Sequence, residues 1–228
     1  SLVGSEMCIR DRFIGTGNMG SAMIKGLVTS EYVSGSDINV FDVNVEKSRE
    51  LSEKYSVKPL QNEVEIADNS DVIVLSVKPN IYNSVLEKIK ARIDENKIII
   101  AIAAGISIES VENIAGKDKK VVRIMPNTPA QVLEGMTAVT FNGNVKEEEK
   151  KVVFGILDSF GKSIEIEEKL MHTFTGIAGS LPAYVYMFME ALADGGVLEG
   201  MPRDKAYEIV AQTVKGSAEM LLKTGKHP

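Results

Sequence analysis

The chain is short of cysteine, histidine and tryptophan: its 228 residues include one cysteine, two histidines and no tryptophan. The single cysteine, Cys8, cannot form a disulfide within the chain, so nothing points to an oxidising compartment and we expect a cytoplasmic protein. The missing tryptophan leaves the class of protein unchanged, because 44% hydrophobic and 25% charged residues are typical of a globular protein.

An excess of basic residues and a long uncharged apolar run are missing as well. The net charge is -6 at pH 7, whereas a surface that neutralises nucleic-acid phosphates is usually basic, so we expect no nucleic-acid partner. The longest apolar stretch, Leu181–Leu198, contains Glu190 and Asp194, and both carboxylates would be costly at the centre of a bilayer. We therefore predict a buried helix there and no membrane partner.

Between residues 13 and 167, short apolar runs alternate with stretches of helical periodicity. This rhythm predicts an α/β fold, a doubly wound parallel sheet of the Rossmann type with crossover helices. The predicted strands are 38–41, 72–76, 98–103, 121–125, 136–141 and 163–166, and the predicted helices are 19–29, 46–55, 81–93, 108–114 and 147–160.

From residue 168 to residue 228 the strand signals stop, and 183–198 and 203–222 show helical patterns. We predict a second, all-helical domain here. Its first helix is apolar almost all round and must be covered by other protein. A second subunit is the expected cover, so we predict a homodimer or a higher homo-oligomer.

The first twelve residues break the pattern. Arg10, Asp11 and Arg12 lead directly into Phe13 and Ile14, where a central parallel strand should be apolar on both faces. The segment also lacks the apolar core of a secretory signal. We therefore interpret residues 1–12 as a scar that has overwritten the native start, and we begin the dinucleotide-binding domain at residue 13.

A G-x-G-x-x-G pattern joins the first predicted strand to the first predicted helix. Gly15 permits a tight turn, Gly17 lets the backbone approach a diphosphate, and Gly20 lets the helix pack close to the strand. The free amides of the helix N-terminus then face the anion. In this strand-turn-helix context the pattern predicts dinucleotide binding, whereas alone it would fit an ordinary glycine-rich turn.

Asp42 follows the second predicted strand, where an acidic residue commonly accepts a hydrogen bond from the adenosine ribose of NAD and would repel a 2′-phosphate. Asn44, Lys47 and Ser48 follow closely and could hold the phosphate of NADP. The pattern leans slightly to NADH and leaves the choice open. Asp42 could also be a solvated turn residue.

Three further strand ends carry unusual loops at the edge where open α/β sheets bind ligands. Lys78 precedes the turn residue Pro79 and is a candidate for binding a ligand through its positive charge, although most such lysines are plain surface residues. The small residues 101–105 would let a flat ring lie against the backbone, unless they serve only core packing. Asn127 and Thr128 lie between two prolines in a stiff loop that either faces a ligand or forms a structural turn.

The helical domain opens with Gly176, Gly179, Ser180 and Pro182. Ser180 is a candidate N-cap and Pro182 fits a first helical turn. Capping does not explain the two glycines, which indicate a close backbone approach to another group.

These motifs, in this order, resemble those of the pyrroline-5-carboxylate reductases. The matching runs are FIGTGNMG, SVKP, AIAAG, MPNTPA, GxxGSxPAY, EALADGGV and GMPR, and the resemblance extends from residue 13 to residue 228. It implies an oxidoreductase that reduces 1-pyrroline-5-carboxylate to L-proline by hydride transfer from NADH or NADPH. It also implies that the helical domain dimerises and that the substrate site forms across subunits.

The resemblance implies a set of cofactor contacts, to which Asp42 is added from its position after the second strand. It also places Ser180 near the substrate, and Asn127, Thr128 and Gly179 are added to the substrate set from the features described above. The predicted cofactor set is Gly15, Thr16, Gly17, Asn18, Met19, Gly20, Asp42, Asn62, Ser76, Val77, Lys78, Pro79, Ile102, Ala103 and Ala104. The predicted substrate set is Asn127, Thr128, Gly179 and Ser180.

Two departures from the family pattern affect the predicted substrate site. Ala178 stands where the family usually has serine. The sequence ends at Lys226, His227 and Pro228, before the glycine-rich, threonine-containing substrate loop of the family. We therefore expect the substrate site of this chain to be incomplete.

The implied chemistry needs positioning more than acid catalysis, because the cofactor supplies the hydride and the ring nitrogen can arrive protonated. His172 and His227 lie away from the predicted rim, so we assign no catalytic base and predict no metal. One alternative is a related imine or β-hydroxyacid-type reductase, which needs a catalytic lysine or aspartate in the helical domain, with Lys169, Asp194 and Lys215 as candidates. Another is a catalytically silent dinucleotide-binding module.

Overall fold

Neighbouring residues of the central strands are buried on opposite faces of one sheet. The computed structural model of the protein describes residues 11–68, 70–102 and 104–227. Phe13 belongs to one buried cluster and Ile14 to another, because neighbouring side chains of a strand point to opposite faces. Cys8 and the predicted cofactor contact Ala103 lie outside the described residues.

The described residues form one eight-stranded sheet in the order β3-β2-β1-β4-β5-β6-β7-β8. All neighbouring strands are parallel except β6 and β7, which confirms the predicted doubly wound fold. The strands are β1 Asp11–Ile14, β2 Asn39–Phe41, β3 Lys58–Pro59, β4 Val72–Leu75, β5 Ile98–Ala101, β6 Lys120–Met125, β7 Gly135–Phe141 and β8 Gly161–Glu165.

Helices pack on both faces of this sheet, and the last two follow it. They are α1 Asn18–Thr29, α2 Val45–Tyr55, α3 Glu63–Asp68, α4 Tyr82–Ile89, α5 Ile108–Ala115, α6 Glu147–Asp158, α7 Met171–Phe174, α8 Leu181–Leu198 and α9 Arg203–Thr224. The buried residues of α1 and α6 belong to one core cluster and those of α4 and α5 to the other. The strand order reverses between β1 and β4, and doubly wound folds bind ligands at this switch point.

The exclusion of residues 1–12 from the fold is wrong for two of them. Asp11 and Arg12 belong to β1 and pair with Val72 and Ile73 of β4. A strand ladder uses backbone amides and carbonyls, so its first residues need no apolar side chain. Arg12 is only 5% exposed. The interpretation of residues 1–10 as a scar falls outside the described residues.

The chain divides into two compact units between Thr175 and Gly176, later than the boundary predicted at residue 167. A hydrogen bond and a buried side chain explain the later division. The carboxylate of Glu168 accepts a hydrogen bond from the Ile108 amide at 2.9 Å, and Met171 is fully buried. The segment that follows β8 therefore still belongs to the first unit.

The second unit consists chiefly of α8 and α9. Pro182 lies in the first turn of α8, as expected for a residue without an amide proton. Arg203 at the start of α9 forms an ion pair with Asp194 of α8. No described helix combines the length and apolar character that crossing a membrane requires.

Candidate functional site

The first and third glycines of the predicted motif are required by local geometry. Gly15 has φ +95°, and a methyl group there would lie 2.5 Å from the carbonyl oxygen of Ser76. At Gly20 a methyl group would lie 2.5 Å from the carbonyl oxygen of Gly15. Both distances are far below van der Waals contact, so glycine alone allows β1, β4 and α1 to approach this closely.

The second glycine of the motif has a different environment. A methyl group at Gly17 would meet no atom of the structure within 4 Å. Gly17 is the N-cap of α1, no side chain caps this end, and the first turn holds no acidic residue. The first amides of α1 therefore face open space together with the positive end of the helix dipole, which favours an anion.

Asp42 holds the glycine loop from the end of β2. Its carboxylate accepts hydrogen bonds from the Thr16 amide at 2.7 Å, the Thr16 hydroxyl at 3.0 Å and the Asn44 amide at 2.9 Å. Burial opposes ionisation, but these hydrogen bonds and the charge of Lys47 outweigh it and keep the pKa of Asp42 below its ordinary value. Asp42 is therefore an ionised anchor of the loop.

Ser76 joins β4 to the same loop. Its amide donates to the Ile14 carbonyl at 2.9 Å, which continues the sheet ladder past the end of β4. Its hydroxyl donates to the carbonyl oxygen of Gly15. The predicted contact Ser76 thus lies directly beside the first glycine.

Several predicted residues line one cleft of about 370 Å³ at the switch point between β1 and β4. Among the described residues, no carboxylate lies within ion-pair distance of the Lys78 amine at its edge. A lysine whose charge is not matched by a neighbouring acid suits an anionic ligand. The predicted residues that line this cleft are Gly15, Gly17, Asp42, Ser76, Val77 and Lys78.

Thr16, Asn18 and Gly17 line a second cleft of about 370 Å³ on the other side of the glycine loop. Lys47 lines both clefts. Met19, in contrast, packs against the buried core. The glycine loop thus separates two clefts that share one lysine.

Asn62 is placed as a helix cap. Its side-chain oxygen accepts from the Glu65 amide at 2.9 Å and its amide group donates to the Glu65 carboxylate at 3.1 Å. The cofactor contact predicted for Asn62 stays a prediction.

Pro79 begins a short 3-10 turn, Pro79–Ile81, that leads into α4.

Sequence reasoning missed Tyr82, the first residue of α4. Its side chain is fully buried, and its hydroxyl donates to the Leu75 carbonyl at 2.9 Å and accepts from the Ile102 amide at 3.1 Å. The hydroxyl therefore connects the ends of β4 and β5. The signal in the sequence was one polar atom within an otherwise apolar helix face.

The loop after β6 is partly structural. The side-chain oxygen of Asn127 accepts from the Met136 amide at 2.9 Å and so braces β7. Thr128 is exposed at the start of a 3-10 helix, Thr128–Val132. Both alternatives considered for this loop thus keep support, because Asn127 forms a turn contact and Thr128 faces outward.

The second unit holds Gly179 and Ser180 near the start of α8. Ser180 occupies the N-cap position, but its side chain makes no capping hydrogen bond. A π-helical turn, Thr175–Gly179, precedes it, and such turns often mark functional segments. The roles of Gly179 and Ser180 at a substrate stay predictions.

Two of the three candidate catalytic residues of the alternative reductase class form ion pairs with neighbouring side chains, and the third is exposed. Lys169 forms an ion pair with Glu167 at 2.5 Å, and Asp194 forms one with Arg203. Lys215 is exposed on α9. The Asp194 side chain is 59% exposed within one chain, and the cover predicted for its helix from a second subunit stays a prediction.

Comparison with known proteins matches two different family models to two parts of the chain. Residues 168–228 match the family described as pyrroline-5-carboxylate reductase dimerisation, and residues 12–105 match the NADP oxidoreductase, coenzyme F420-dependent family. The pyrroline-5-carboxylate reductase of Escherichia coli K12 is 42% identical over 95% of this chain and 80% of its own length. That of Arabidopsis thaliana is 36% identical over 95% of this chain and 78% of its own length.

Solved structures agree with these relatives. A pyrroline-5-carboxylate reductase from Coxiella burnetii superposes with a TM-score of 0.91 at 31% identity, covering 97% of this chain and 82% of that chain. A pyrroline carboxylate reductase from Plasmodium falciparum with NADP bound gives 0.86 at 36% identity, covering 96% and 80%. An imine reductase from Myxococcus stipitatus, at 17% identity and TM-score 0.62, shares the fold alone.

Proposed function

This chain belongs to the pyrroline-5-carboxylate reductase family, and we propose that it reduces 1-pyrroline-5-carboxylate to L-proline with NADH or NADPH bound along the rim where β2, β1, β4 and β5 end. The observation that carries this proposal is the environment of Gly17. The fold tolerates only glycine at Gly15 and Gly20, whereas Gly17 borders open space at an uncapped helix N-terminus.

These residues fit a dinucleotide. Its diphosphate needs amide donors and close backbone approach, which the α1 N-terminus and Gly17 provide. Asp42 at the end of β2 is ionised and holds Thr16, so the loop is fixed before a ligand arrives. Lys78 adds a cation at the cleft edge. The part of the rim at the end of β5, where Ile102 lies, is then available for the nicotinamide half of the cofactor.

The cofactor supplies the hydride that reduces the C=N bond, and the residues of the chain orient the cofactor and the substrate. Reduction adds hydride to the carbon of the C=N bond, and the ring nitrogen can enter the site already protonated. No general acid is therefore assigned, and His172 and His227 take no part. Orientation of the two reactants can account for much of the rate enhancement.

We infer substrate contacts at Asn127, Thr128, Gly179 and Ser180. Thr128 is exposed next to the rim strand β6, which supports a contact through its hydroxyl. Ser180 is free of a capping role, which supports a contact through its side chain. The single cysteine and the family support a cytoplasmic enzyme.

We infer a homodimer or higher homo-oligomer built through the second unit. Within one chain α8 exposes large apolar side chains, with Tyr184 64% and Met187 66% exposed. Phe188 and Leu192 border an apolar groove of about 560 Å³ between α8 and α9. Exposed apolar patches of this extent mark interfaces, and residues 168–228 match a dimerisation family.

The test is cofactor oxidation by the purified protein with 1-pyrroline-5-carboxylate, with proline identified as the product. We expect faster turnover of this substrate than of 2-methyl-1-pyrroline, a cyclic imine without the carboxylate. Equal turnover of both imines would indicate a general imine reductase instead. Tight cofactor binding without any proline would favour a silent dinucleotide-binding module.

A further inference from the structure

Tyr82 contributes a buried hydroxyl to the apolar cluster that α4 and α5 form with β4 and β5. It shares this cluster with Leu86, Ile73 and Ile99. A phenylalanine would fill the same space without a polar atom. A buried hydroxyl lowers stability unless it is fully hydrogen-bonded, so its presence here calls for a reason beyond packing.

The hydroxyl of Tyr82 joins two loops at one atom. Its bond to the Leu75 carbonyl, at 2.9 Å, closes the segment 76–81, which contains Ser76 and Lys78. Its bond from the Ile102 amide, at 3.1 Å, holds the first residue after β5. The Tyr82 side chain therefore connects the loop after β4 with the loop after β5, beside the backbone hydrogen bond from the Ile102 amide to the Leu75 carbonyl.

This connection is independent of pH over the ordinary range. Burial raises the pKa of Tyr82 far above the ordinary value of a phenol, although the hydrogen bond from Ile102 acts in the opposite direction. The hydroxyl stays protonated and always donates to Leu75. The Ile102 amide also donates to the Leu75 carbonyl, at 3.1 Å, so loss of the hydroxyl leaves this amide with an acceptor and the fold intact.

We propose that Tyr82 is a positioning residue for hydride transfer, because its hydroxyl fixes the rim between β4 and β5 on which the nicotinamide half of the cofactor lies. The inference rests on the proposed function. Along the rim, Asp42 follows β2, the glycine loop follows β1, and Ile102 follows β5. A dinucleotide whose diphosphate lies at the glycine loop therefore extends its two halves toward Asp42 and toward Ile102.

The test compares Tyr82→Phe with a matched variant, Tyr32→Phe. Tyr32 also donates its hydroxyl to a carbonyl, that of Val152, at 3.3 Å, but it follows the C-terminal end of α1, opposite to the end at the rim. The measurements are kcat, affinity for the reduced cofactor, affinity for its ADP-ribose fragment, and the kinetic isotope effect with cofactor deuterated at the transferred position.

We expect Tyr82→Phe to lower kcat about tenfold and to increase the isotope effect, because misplaced reactants slow the chemical step. Affinity for ADP-ribose should stay within about twofold of the parent, since the glycine loop is untouched. Tyr32→Phe should match the parent in all four measurements. A lower thermal midpoint alone, or equal loss of affinity for the fragment and the whole cofactor, would show a merely structural role and overturn the inference.

The two proposals fail in different ways. If the parent protein oxidises no cofactor with 1-pyrroline-5-carboxylate, the proposed function is wrong and the inference falls with it. If the parent is active and Tyr82→Phe has the same kcat and isotope effect, the inference alone is wrong.

Discussion

Asp42 and Thr16 are joined twice: one carboxylate oxygen of Asp42 accepts from both the amide and the hydroxyl of Thr16, at 2.7 and 3.0 Å. The pair connects the end of β2 to the middle of the glycine loop. An acid at this position commonly contacts a ribose, but here its first effect is on the protein itself. The loop geometry therefore depends on the charge of Asp42.

Replacing Asp42 by asparagine should weaken cofactor binding and lower the free energy of unfolding by roughly 1 kcal/mol at neutral pH, because the hydrogen bonds to a charged acceptor are lost. The pKa of Asp42 is lowered in the folded protein, so its stabilisation is present above the ordinary carboxyl pKa and is lost as pH falls through the folded value. Urea unfolding of both proteins from neutral to acid pH measures this. Asp37→Asn, at an exposed aspartate before β2, is the control, and a constant difference across pH would contradict the prediction.

Gly17→Val should reduce cofactor affinity at least tenfold, about 1.4 kcal/mol, while the fold persists. A Cβ atom added at Gly17 meets no protein atom within 4 Å, so we expect valine there to obstruct the ligand and to leave the fold intact. Gly143→Val is matched, since Gly143 also borders open space but lies between β7 and α6. Calorimetric titration with NADPH and NADH measures both variants. Parent-like affinity in Gly17→Val would remove the glycine loop from the binding site.

The rim could be predicted from the sequence because steric constraints require glycine at fixed positions there. Gly15 and Gly20 cannot carry side chains, and such positions recur at a fixed spacing between a strand and a helix. The fold class followed from strands buried on both faces, as Phe13 and Ile14 show. Lys58–Pro59 was missed because a two-residue strand has no periodicity to detect.

Other features depended on tertiary contacts that no local pattern contains. β7 pairs with β6 in the antiparallel direction. The sequence predicted a parallel sheet and did not reveal this pair. Tyr82 and a phenylalanine give the same apolar pattern, and only the positions of Leu75 and Ile102 reveal the role of its hydroxyl. Charge at Asp11 and Arg12 argued against a strand, although backbone pairing with β4 forms one.

Glu168→Gln should lower the free energy of unfolding by about 2 kcal/mol, because Arg123 would lose its carboxylate partner in a buried site. The Arg123 guanidinium donates to the Glu168 carboxylate at 2.8 Å, and its Nε atom is buried without a partner in the described structure. The neighbouring pair of Glu167 and Lys169 is largely exposed, so Glu167→Gln should change stability by less than about 0.5 kcal/mol. Thermal and urea unfolding compare the two variants, and equal stabilities would show that the Arg123 pair contributes no more than a surface ion pair.

Phe188→Glu should convert the homo-oligomer to smaller species while cofactor affinity stays near that of the parent. Phe188 is 56% exposed on α8 within one chain and lines the apolar groove beside α9. Burying a carboxylate without a partner in an interface is strongly unfavourable, so association should weaken by more than about tenfold. Val132→Glu is the control, because Val132 is 66% exposed and lies outside residues 168–228, which match the dimerisation family. Sedimentation velocity over a range of concentrations measures both variants and the parent. Identical sedimentation of Phe188→Glu and the parent would show that this face of α8 lies outside the subunit interface, and the assembly proposed for the second unit would need a different surface.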